Sequence, residues 1–340
     1  MRDLVVAGGG PAGLATALYA ARAGLDVSVF EPRAGTIDKA CGEGLMPGAV
    51  AALADLDIDP DGHDLRGIRY VDGDRTAEAT FRRGLGRGVR RTTLHAALRS
   101  AVVEAGVEMT ARPVSTIVQS DDGVSVDGVR CRYLVAADGL HSPARRLLGL
   151  DAVVSATRRF GLRCHAQMTP WTSHVEVHWS RSAEAYVTPV APDLVGVALL
   201  TTVRQPFAEQ VRAFPVLTER MDGHDVSAVR GAGPLRQRSR RRVAGRVLLV
   251  GDASGYVDAL TGEGIALGLA QARAAVAAIA TARPQQYEGA WQRITWRYRL
   301  LTTTLVGVSQ RRMLRGGLVP AAAALPAVFA ATINELARPA

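Results

Sequence analysis

Four short apolar runs predict strands that are buried within one sheet, because nearly every residue in them is aliphatic or aromatic. Each run is followed by glycines or by an acidic residue, which indicates that the chain turns sharply where the strand ends. The runs are Leu4–Ala7, Val27–Phe30, Tyr133–Ala136 and Val247–Val250. In an open α/β sheet, ligands bind at the carboxyl ends of the strands, so these turns are the first places to look for chemistry.

Three other segments predict helices that connect these strands. The first spans Pro11 to about Ala23, with proline at an early helical position and Gly24 after its end. The others run from Arg91 to about Ala105 and, in an alanine-rich stretch, from Ile265 to about Thr281. Alternating strands and helices of this kind favour a Rossmann-like α/β domain.

The turn after the first strand is rich in glycine, and each glycine has a mechanical reason. Gly8 permits the tight turn, Gly10 lets the backbone approach a pyrophosphate, and Gly13 lets the helix pack against the strand. The helix N-terminus then directs free N–H groups at the phosphates. An acid about 20 positions later, Glu31, is placed to accept hydrogen bonds from an adenosine ribose. The turn therefore predicts a dinucleotide site, with Pro11, Ala12 and Arg33 as further contacts.

Two later motifs predict that the chain returns to the same ligand. Asp138-Gly139 and Gly251-Asp252 each follow a buried strand. The second leads through Thr261-Gly262-Glu263-Gly264 into the helix beginning near Ile265, whose N-terminus would stabilise negative charge on the N1–C2=O edge of a reduced flavin. Arg91, in the first turn of its helix, would lie beside a pyrophosphate or a ribityl chain. Three motifs in this order are typical of an enzyme wrapped around FAD.

A second set of strands shows alternating polarity and predicts a separate sheet. The alternation is clearest where Val175, Val177 and Trp179 interleave with Glu176 and His178. One face of this sheet would cover the flavin, although the alternation does not say which face. The predicted strands are Ile68–Val71, Ala77–Phe81, Arg159–Met168, His174–Trp179, Glu184–Val190 and Leu194–Leu200, and the candidate polar groups of the pocket are Arg163, His165, His178 and Tyr186.

The three motifs and their spacing resemble the FAD-dependent monooxygenases of the para-hydroxybenzoate hydroxylase type over most of the chain. Two segments, Lys39–Pro47 and Thr261–Ile265, resemble the neighbouring geranylgeranyl reductase-like oxidoreductases. The resemblance implies one tightly held FAD, no separate nicotinamide domain and NAD(P)H as a transient reductant that binds near Asp138-Gly139. It also implies a set of residues that line the FAD: Gly10, Gly13, Glu31, Arg91, Asp138, Asp252, Gly262 and Gly264.

On this basis we expect an α/β fold with a Rossmann-like FAD-binding domain, an inserted mixed β-sheet domain for the substrate and a helical C-terminus. The FAD-binding domain is expected to be discontinuous, at residues 1–62, 85–157 and 233–300. The substrate domain is expected at 63–84 and 158–232, followed by C-terminal helices at 301–340.

The candidate catalytic residues are Cys41, Glu43 and Tyr186. Cys41 and Glu43 lie about ten residues after the second strand, in a loop where Gly42 and Gly44 indicate close backbone approach to the cofactor. Glu43 either donates a proton or anchors the loop, and Cys41 is either a proton donor or a small packed thiol. Tyr186 precedes Pro189 where the reductase branch carries an aromatic strand, but this chain lacks the Trp and Phe of that strand.

Three functions remain open. The first is a monooxygenase in which O₂ adds at the flavin C4a and the hydroperoxide hydroxylates or epoxidises a small apolar or aromatic substrate. The second is a flavin-dependent reductase of prenyl or other C=C bonds with Cys41 as the proton source. The third is a non-catalytic escort protein of related fold, against which the retention of all three FAD motifs argues. A halogenase is disfavoured because the single lysine, Lys39, precedes the Cys-Gly loop.

Composition narrows the class of protein without identifying it. The net charge is +9, almost wholly from arginine, and we expect neither nucleic-acid binding nor membrane contact. The densest basic run, Arg236–Arg242, predicts either a solvated hairpin or a site for an acidic or phosphate-bearing partner. Three cysteines without metal or disulfide spacing favour a reducing, cytoplasmic compartment and no bound metal. The uncharged stretch Gly316–Ile333, with its two prolines, predicts a helix pair packed on the body.

Overall fold

The computed structural model of the chain describes residues 1–154 and 158–338. The expected FAD-binding segment 85–157 and the expected C-terminal segment 301–340 therefore end outside the described residues. The strands are β1 (Arg2–Ala7), β2 (Val27–Phe30), β3 (Gly44–Leu45), β4 (His63–Leu65), β5 (Gly67–Asp72), β6 (Arg75–Thr80), β7 (Gly86–Gly88), β8 (Glu108–Thr110), β9 (Ile117–Gln119), β10 (Val124–Val126), β11 (Val129–Ala136), β12 (Phe160–Gln167), β13 (His174–Trp179), β14 (Ala183–Ala191), β15 (Leu194–Thr201), β16 (Arg230–Ala232), β17 (Gln237–Arg238), β18 (Val243–Ala244), β19 (Val247–Leu249) and β20 (Gly255–Tyr256).

The helices connect these strands and close the C-terminal end of the chain. Short 3₁₀ turns also occur at Val211–Ala213 and Gly251–Ser254. The α-helices are α1 (Pro11–Arg22), α2 (Pro47–Ala54), α3 (Arg91–Glu104), α4 (Pro143–Leu147), α5 (Phe207–Gln210), α6 (Pro215–Met221), α7 (Gly264–Ala280), α8 (Gln286–Ser309), α9 (Arg312–Arg315), α10 (Leu318–Ala324) and α11 (Pro326–Leu336).

The first sheet has the strand order β18-β19-β11-β1-β2-β8, with β10 also paired to β11 and β9 to β10. Strands β19, β11, β1, β2 and β8 run parallel, so their carboxyl ends lie at one edge. Helices α1, α3 and α7 bury their apolar faces with this sheet, through Leu14, Leu98 and Leu269 among others. The Rossmann-like domain expected from the sequence is confirmed by this arrangement.

The second sheet has the order β16-β12-β15-β14-β13-β5-β6 and is mixed, because β13 runs parallel to β5 while the other pairs are antiparallel. One row of residues crosses four strands in register: Ala198, Tyr186, Val177 and Tyr70. This row faces the first sheet, whereas neighbours such as Val187 pack beneath α5 and α6. The face that the sequence left undetermined is therefore the one that carries Tyr186.

That orientation places one of the candidate polar groups outside the pocket. His178 follows Val177 in the strand and so points to the opposite face. There its Nε2 lies 3.0 Å from Glu176 Oε2, and the same carboxylate oxygen accepts from Trp171 Nε1 at 3.1 Å. His178 is a satisfied histidine on the far side of the sheet.

The basic run does not fold back on itself as a hairpin. Gln237 and Arg238 pair instead with Tyr256 and Gly255 of β20, and the antiparallel hairpin β18–β19 begins only after the run. Local sequence does not distinguish the two arrangements, because the pairing partners, Tyr256 and Gly255, lie 19 and 17 residues further along the chain than Gln237 and Arg238.

The C-terminal helices pack on the second sheet, where Phe329 and Ile333 of α11 join a core cluster with Tyr70 and Trp179. The expected boundary between residues 300 and 301 falls inside the continuous helix α8. Among the described residues, no single helix has the length and apolar character needed to cross a membrane. The pair Met313–Ala324 and Pro326–Leu336, bent by 102°, reaches that length and composition only when the two are taken together.

Candidate active site

A cavity of about 510 Å³ lies between the carboxyl edge of the first sheet and the facing side of the second. Every predicted cofactor-binding or catalytic residue lines it except Gly13, which is buried in the first turn of α1. Of the candidate polar groups of the pocket, Arg163 and Tyr186 line the cavity, whereas His165 and His178 do not. Three segments more than a hundred residues apart in the chain therefore meet around one space. The predicted residues in the wall are Gly8, Gly10, Pro11, Ala12, Glu31, Arg33, Cys41, Gly42, Glu43, Arg91, Asp138, Gly139, Tyr186, Gly251, Asp252, Gly262, Gly264 and Ile265.

The turn between β1 and α1 has the geometry that its glycines predict. Gly8 has φ of +104°, and a Cβ there would lie 2.5 Å from the carbonyl oxygen of Ala137. A Cβ at Gly13 would lie 1.8 Å from the carbonyl oxygen of Gly8. At Gly10 the nearest such contact is 3.9 Å away, at Arg91 Nη2, so the backbone there is open to a ligand. Two glycines serve packing, and one leaves room for phosphate.

Glu31 and His95 hold this turn in place. The Gly9 N–H donates to Glu31 Oε2 at 2.8 Å, and the Arg33 side chain donates to both carboxylate oxygens. Burial alone would raise the pKa of Glu31, but the hydrogen bonds from Arg33 and Gly9 lower it, so the group is a carboxylate. His95 Nδ1 accepts from the Ile37 N–H, so Nε2 carries the proton and donates to the Gly9 carbonyl oxygen at 3.0 Å.

Three buried polar atoms in the wall lack hydrogen-bond partners among the described residues, Arg163 Nε, Arg91 Nη1 and Asp138 Oδ1, and the last two test whether FAD fits. Arg91 is 6% exposed, and its Nη1 makes no hydrogen bond. Asp138 donates nothing and accepts only through Oδ2, from the Ala144 N–H at 2.9 Å, which leaves Oδ1 unpaired. A bound anion would stabilise the unpaired buried cation, and a hydrogen-bond donor would stabilise the unpaired carboxylate oxygen. The pyrophosphate and the hydroxyls of FAD supply both.

Asp252 is held at the cavity by a residue that the sequence analysis did not assign. Arg145 is 2% exposed and donates to the carbonyl oxygens of Ala253 at 3.0 Å and Leu140 at 3.0 Å. Its Nε also donates to Asp151 Oδ1 at 2.5 Å. Arg145 thus ties the turn that carries Asp252 to the segment that follows Asp138-Gly139. The sequence offered one signal for this role, which is that Arg145 lies in the helix directly after that motif. An arginine side chain has several N–H donors, so one that is buried there can donate to several carbonyl oxygens at once.

The Cys41–Glu43 loop reaches the cavity between the two sheets. Glu43 has φ of +61°, an uncommon conformation for a residue with a side chain. Its Oε1 accepts from the Arg91 N–H at 2.8 Å, and its Oε2 lies 2.7 Å from His165 Nε2. These contacts favour the anchoring role of Glu43 over that of a free acid. Through them the loop is joined both to α3, beside the phosphate site, and to β12 of the second sheet.

Cys41 faces the same cavity and carries a thiol rather than a thiolate. Burial raises the pKa of Cys41, which outweighs the opposing effect of Arg91 nearby. Its Sγ accepts only a long hydrogen bond, from the Glu43 N–H at 3.4 Å. The two other cysteines, Cys131 and Cys164, are buried in apolar clusters away from this wall. Among the cysteines of the described residues, Cys41 is the one that lines this cavity.

Tyr186 lines the cavity with its ring, while its hydroxyl is already used. That hydroxyl donates to the Leu260 carbonyl oxygen at 2.9 Å, which fixes the loop leading to Gly262. Behind it, Arg159 Nε lies 3.1 Å from Asp258 Oδ2, and Arg159 also pairs with Glu184 at 2.7 Å. Burial raises the pKa of Asp258 to about 6. The arrangement makes Tyr186 a positioning residue for the loop that would meet the flavin edge.

Most of the rest of the wall is apolar, with residues from both sheets and from α11 at its far end, and Lys39 and Arg163 are its charged exceptions. Such a wall excludes water and accepts a hydrophobic substrate. No group of His, Cys, Asp or Glu among the described residues could hold a metal ion. The apolar lining comprises Ile68, Tyr70, Val175, Val177, Leu235, Ile333 and Leu336.

Comparison with known proteins agrees with this geometry. A family model described as FAD binding domain matches residues 90–286. The menaquinone reductase of Mycolicibacterium smegmatis is 30% identical over 327 residues, covering 85% of this chain and 79% of that protein. Digeranylgeranylglycerophospholipid reductase 1 of Methanothermobacter thermautotrophicus is 27% identical, covering 78% of this chain and 74% of that protein.

Among solved structures, an anhydrotetracycline hydroxylase from Streptomyces rimosus matches with a TM-score of 0.76 and 25% identity, covering 99% of this chain and 75% of the other. A geranylgeranyl bacteriochlorophyll reductase-like protein from Thermoplasma acidophilum matches with a TM-score of 0.71 and 20% identity, covering 88% and 83%. The second likeness concerns the fold alone.

Proposed function

This chain belongs to the FAD binding domain family and is a FAD-dependent oxidoreductase, and from that premise we propose that it reduces a carbon–carbon double bond in an extended apolar, isoprenoid-like substrate. NAD(P)H is the reductant in this proposal. Bound FAD, once reduced by NAD(P)H, would supply the hydride, and the residues of the chain would hold the cofactor, exclude water and keep a proton at the substrate.

The observation that carries the proposal is that Cys41 lines the cavity with a thiol whose pKa is raised by burial, and that the part of the wall formed by the second sheet and α11 is mostly apolar. Reduction of a C=C bond adds a hydride to one carbon and a proton to its neighbour. A thiol whose pKa is raised by burial keeps its proton at neutral pH and can deliver it to a carbon held beside it. Solvent then restores the proton once the product leaves.

The named relatives support the choice of substrate class. Menaquinone and digeranylgeranylglycerophospholipid, after which two of them are named, both carry long isoprenoid chains. The cavity in this chain extends from Cys41 to Ile333 and Leu336 of α11, which gives an apolar chain room to lie along the second sheet. Burial of such a chain would provide most of the binding free energy, at about 25 cal/mol per Å².

The test is an anaerobic assay with NADPH and either a polyprenyl quinone or geranylgeranyl diphosphate, with product analysis by mass spectrometry. We expect a product that has gained two hydrogen atoms per reduced bond. Cys41→Ala should lower turnover about 100-fold while FAD content and the rate of flavin reduction by NADPH stay unchanged. Cys164→Ala, which removes a thiol buried beneath the far face of the second sheet, is the matched control. Full turnover by Cys41→Ala would remove the proposed role.

A second candidate, hydroxylation or epoxidation of an apolar or aromatic substrate with O₂, has its own support. The likeness to the anhydrotetracycline hydroxylase covers 99% of this chain at 25% identity. The strand Tyr186-Val187-Thr188-Pro189 also lacks the Trp and Phe of the reductase branch. The same assay in air decides between the two: a product that contains one added oxygen atom, formed only when O₂ is present, favours the monooxygenase.

A further inference from the structure

A second cavity, of about 820 Å³, lies on the other side of the Gly251–Ser254 turn, and arginines dominate its polar wall. Asp252 is its only lining carboxylate among the described residues. The two cavities share a wall made of Gly251, Asp252, Tyr256, Gly264 and Gly268. We call the second cavity the arginine cleft and define it by Arg236, Arg238, Arg240, Arg242 and Arg299.

Four of the cleft arginines belong to one segment of the chain, residues 236–242, whereas Arg299 lies in α8. All four even-numbered arginines of this segment line the cleft, and Arg241 does not. Pairing of β17 with β20, a bridge between Ser239 and Asp151, and a hydrogen bond from the Arg240 N–H to the Leu150 carbonyl oxygen at 2.8 Å fix the segment. The Gln237 side chain turns inward, where Arg145 and the Pro234 carbonyl oxygen engage it.

The charge of the cleft is not balanced within the chain. Arg242 is satisfied in part, by Glu288 at 3.0 Å and by the Trp291 ring, whose centroid lies 3.6 Å from its guanidinium carbon. Its buried Nε still has no partner. The side chains of Arg236, Arg238 and Arg240 make no hydrogen bond or ion pair to any described residue, and Arg299 makes only a contact with the Trp291 ring. Guanidinium groups that line one cavity repel one another, and an anion bound there would offset this repulsion.

We propose that the arginine cleft binds the phosphate or diphosphate group of a small cosubstrate. Guanidinium groups match phosphate oxygens in pairs, and several of them around a concave space select for a doubly charged phosphate over a carboxylate. Because the two cavities share a wall that contains Asp252, a phosphate bound in the arginine cleft would lie across the Gly251–Ser254 turn from the first cavity. Two sources have this chemistry: the 2′-phosphate of NADPH and the diphosphate of a phosphorylated substrate.

Binding is tested first with inorganic pyrophosphate titrated into the FAD-loaded protein by calorimetry, which needs no turnover and so does not depend on the proposed reaction. We expect saturable binding that weakens at least tenfold in the double variant Arg238→Gln/Arg240→Gln. Arg241→Gln is the matched control, because Arg241 belongs to the same run but is exposed and does not line the cleft. We expect it to bind within twofold of the wild type. No saturable binding, or an equal loss in Arg241→Gln, would overturn the proposal.

The source of the phosphate is tested by steady-state flavin reduction with NADPH and with NADH. If the cleft holds the 2′-phosphate, the double variant raises the KM for NADPH at least tenfold and leaves that for NADH unchanged. If it holds a substrate diphosphate, both nicotinamide KM values stay constant while the KM for geranylgeranyl diphosphate rises at least tenfold. If the KM values for NADPH, NADH and geranylgeranyl diphosphate all stay constant, the cleft does not bind a cosubstrate, even if pyrophosphate binds to it.

Discussion

Arg91 offers a test in which the stability of the protein should respond oppositely with and without FAD. Its guanidinium is buried, burial lowers its pKa, and its side chain makes no hydrogen bond or ion pair to a described residue. In Arg91→Met a flexible apolar chain takes its place. The Arg91 N–H donates to Glu43 through the backbone, so that contact is kept in the variant.

The magnitude follows from the kind of contact that is lost. A hydrogen bond between a charged donor and phosphate contributes about 1.5–3 kcal/mol, which corresponds to an FAD Kd that rises about 10- to 100-fold. Without FAD the variant loses no hydrogen bond and no longer buries an unpaired charge, so its free energy of unfolding should stay constant or rise by about 1 kcal/mol.

The assay combines FAD titration, followed by quenching of flavin fluorescence, with thermal unfolding of the apo- and holoprotein. Arg90→Met is the control, since Arg90 is the adjacent arginine and is exposed. It should leave the FAD Kd and both unfolding temperatures close to those of the wild type. The reasoning is refuted if Arg91→Met destabilises the apoprotein as much as the holoprotein, or if its FAD affinity equals that of the control.

Three further predictions concern the same site. Asp252→Ala should purify without flavin absorbance, and a full complement of bound FAD in that variant would contradict the assigned role. Burial raises the pKa of Glu263 to about 8, above its usual 4.5. The contribution of the protonated side chain to stability is therefore present below pH 4.5 and is lost as the pH rises through 8. Differential scanning fluorimetry should show that Glu263→Gln unfolds at a higher temperature than the wild type at pH 9 but not at pH 4. Gly13→Ala should lower the free energy of unfolding by about 3 kcal/mol in urea titrations because its Cβ meets Gly8, whereas Gly307→Ala, in helix α8 with no atom within 4 Å of the new Cβ, should raise it by about 0.5–1 kcal/mol.

The elements that the sequence predicted well are those marked at both ends. Strand β2 is found at Val27–Phe30 as predicted, and helix α7 at Gly264–Ala280 lies one residue from its predicted bounds. Buried strands are uniformly apolar, and glycine or proline marks their turns, so local chemistry alone determines these elements. The glycine motifs also predicted the cofactor, whereas the family and the mixed second sheet were predicted from the resemblance to known flavin enzymes.

What local pattern could not determine is which side of an element faces which neighbour. Alternation in β13 separates Val177 from His178 but does not say which of them faces the cavity, because both sides of the sheet are covered. The same holds for the basic run, whose pairing with β20 depends on where the Gly251–Ser254 turn places that strand. The predicted domain boundary at residue 300 lies within α8, which continues from Gln286 to Ser309, so the helix itself marks no end there.

Three arginines of this chain show that the surroundings of a side chain determine its role. Arg145, Arg91 and Arg238 have the same side chain, yet one is buried with carbonyl partners, one is buried without a partner for Nη1, and one is exposed in a cleft. The partners of Arg145 lie up to 108 residues away, at Ala253, so no window of sequence contains the pair. Because Arg145 holds the Asp252 turn against the segment after Asp138-Gly139, the spacing between those motifs at the cofactor depends on a residue outside both. The glycine motifs specify that FAD binds, and the buried arginines determine how rigidly its site is held.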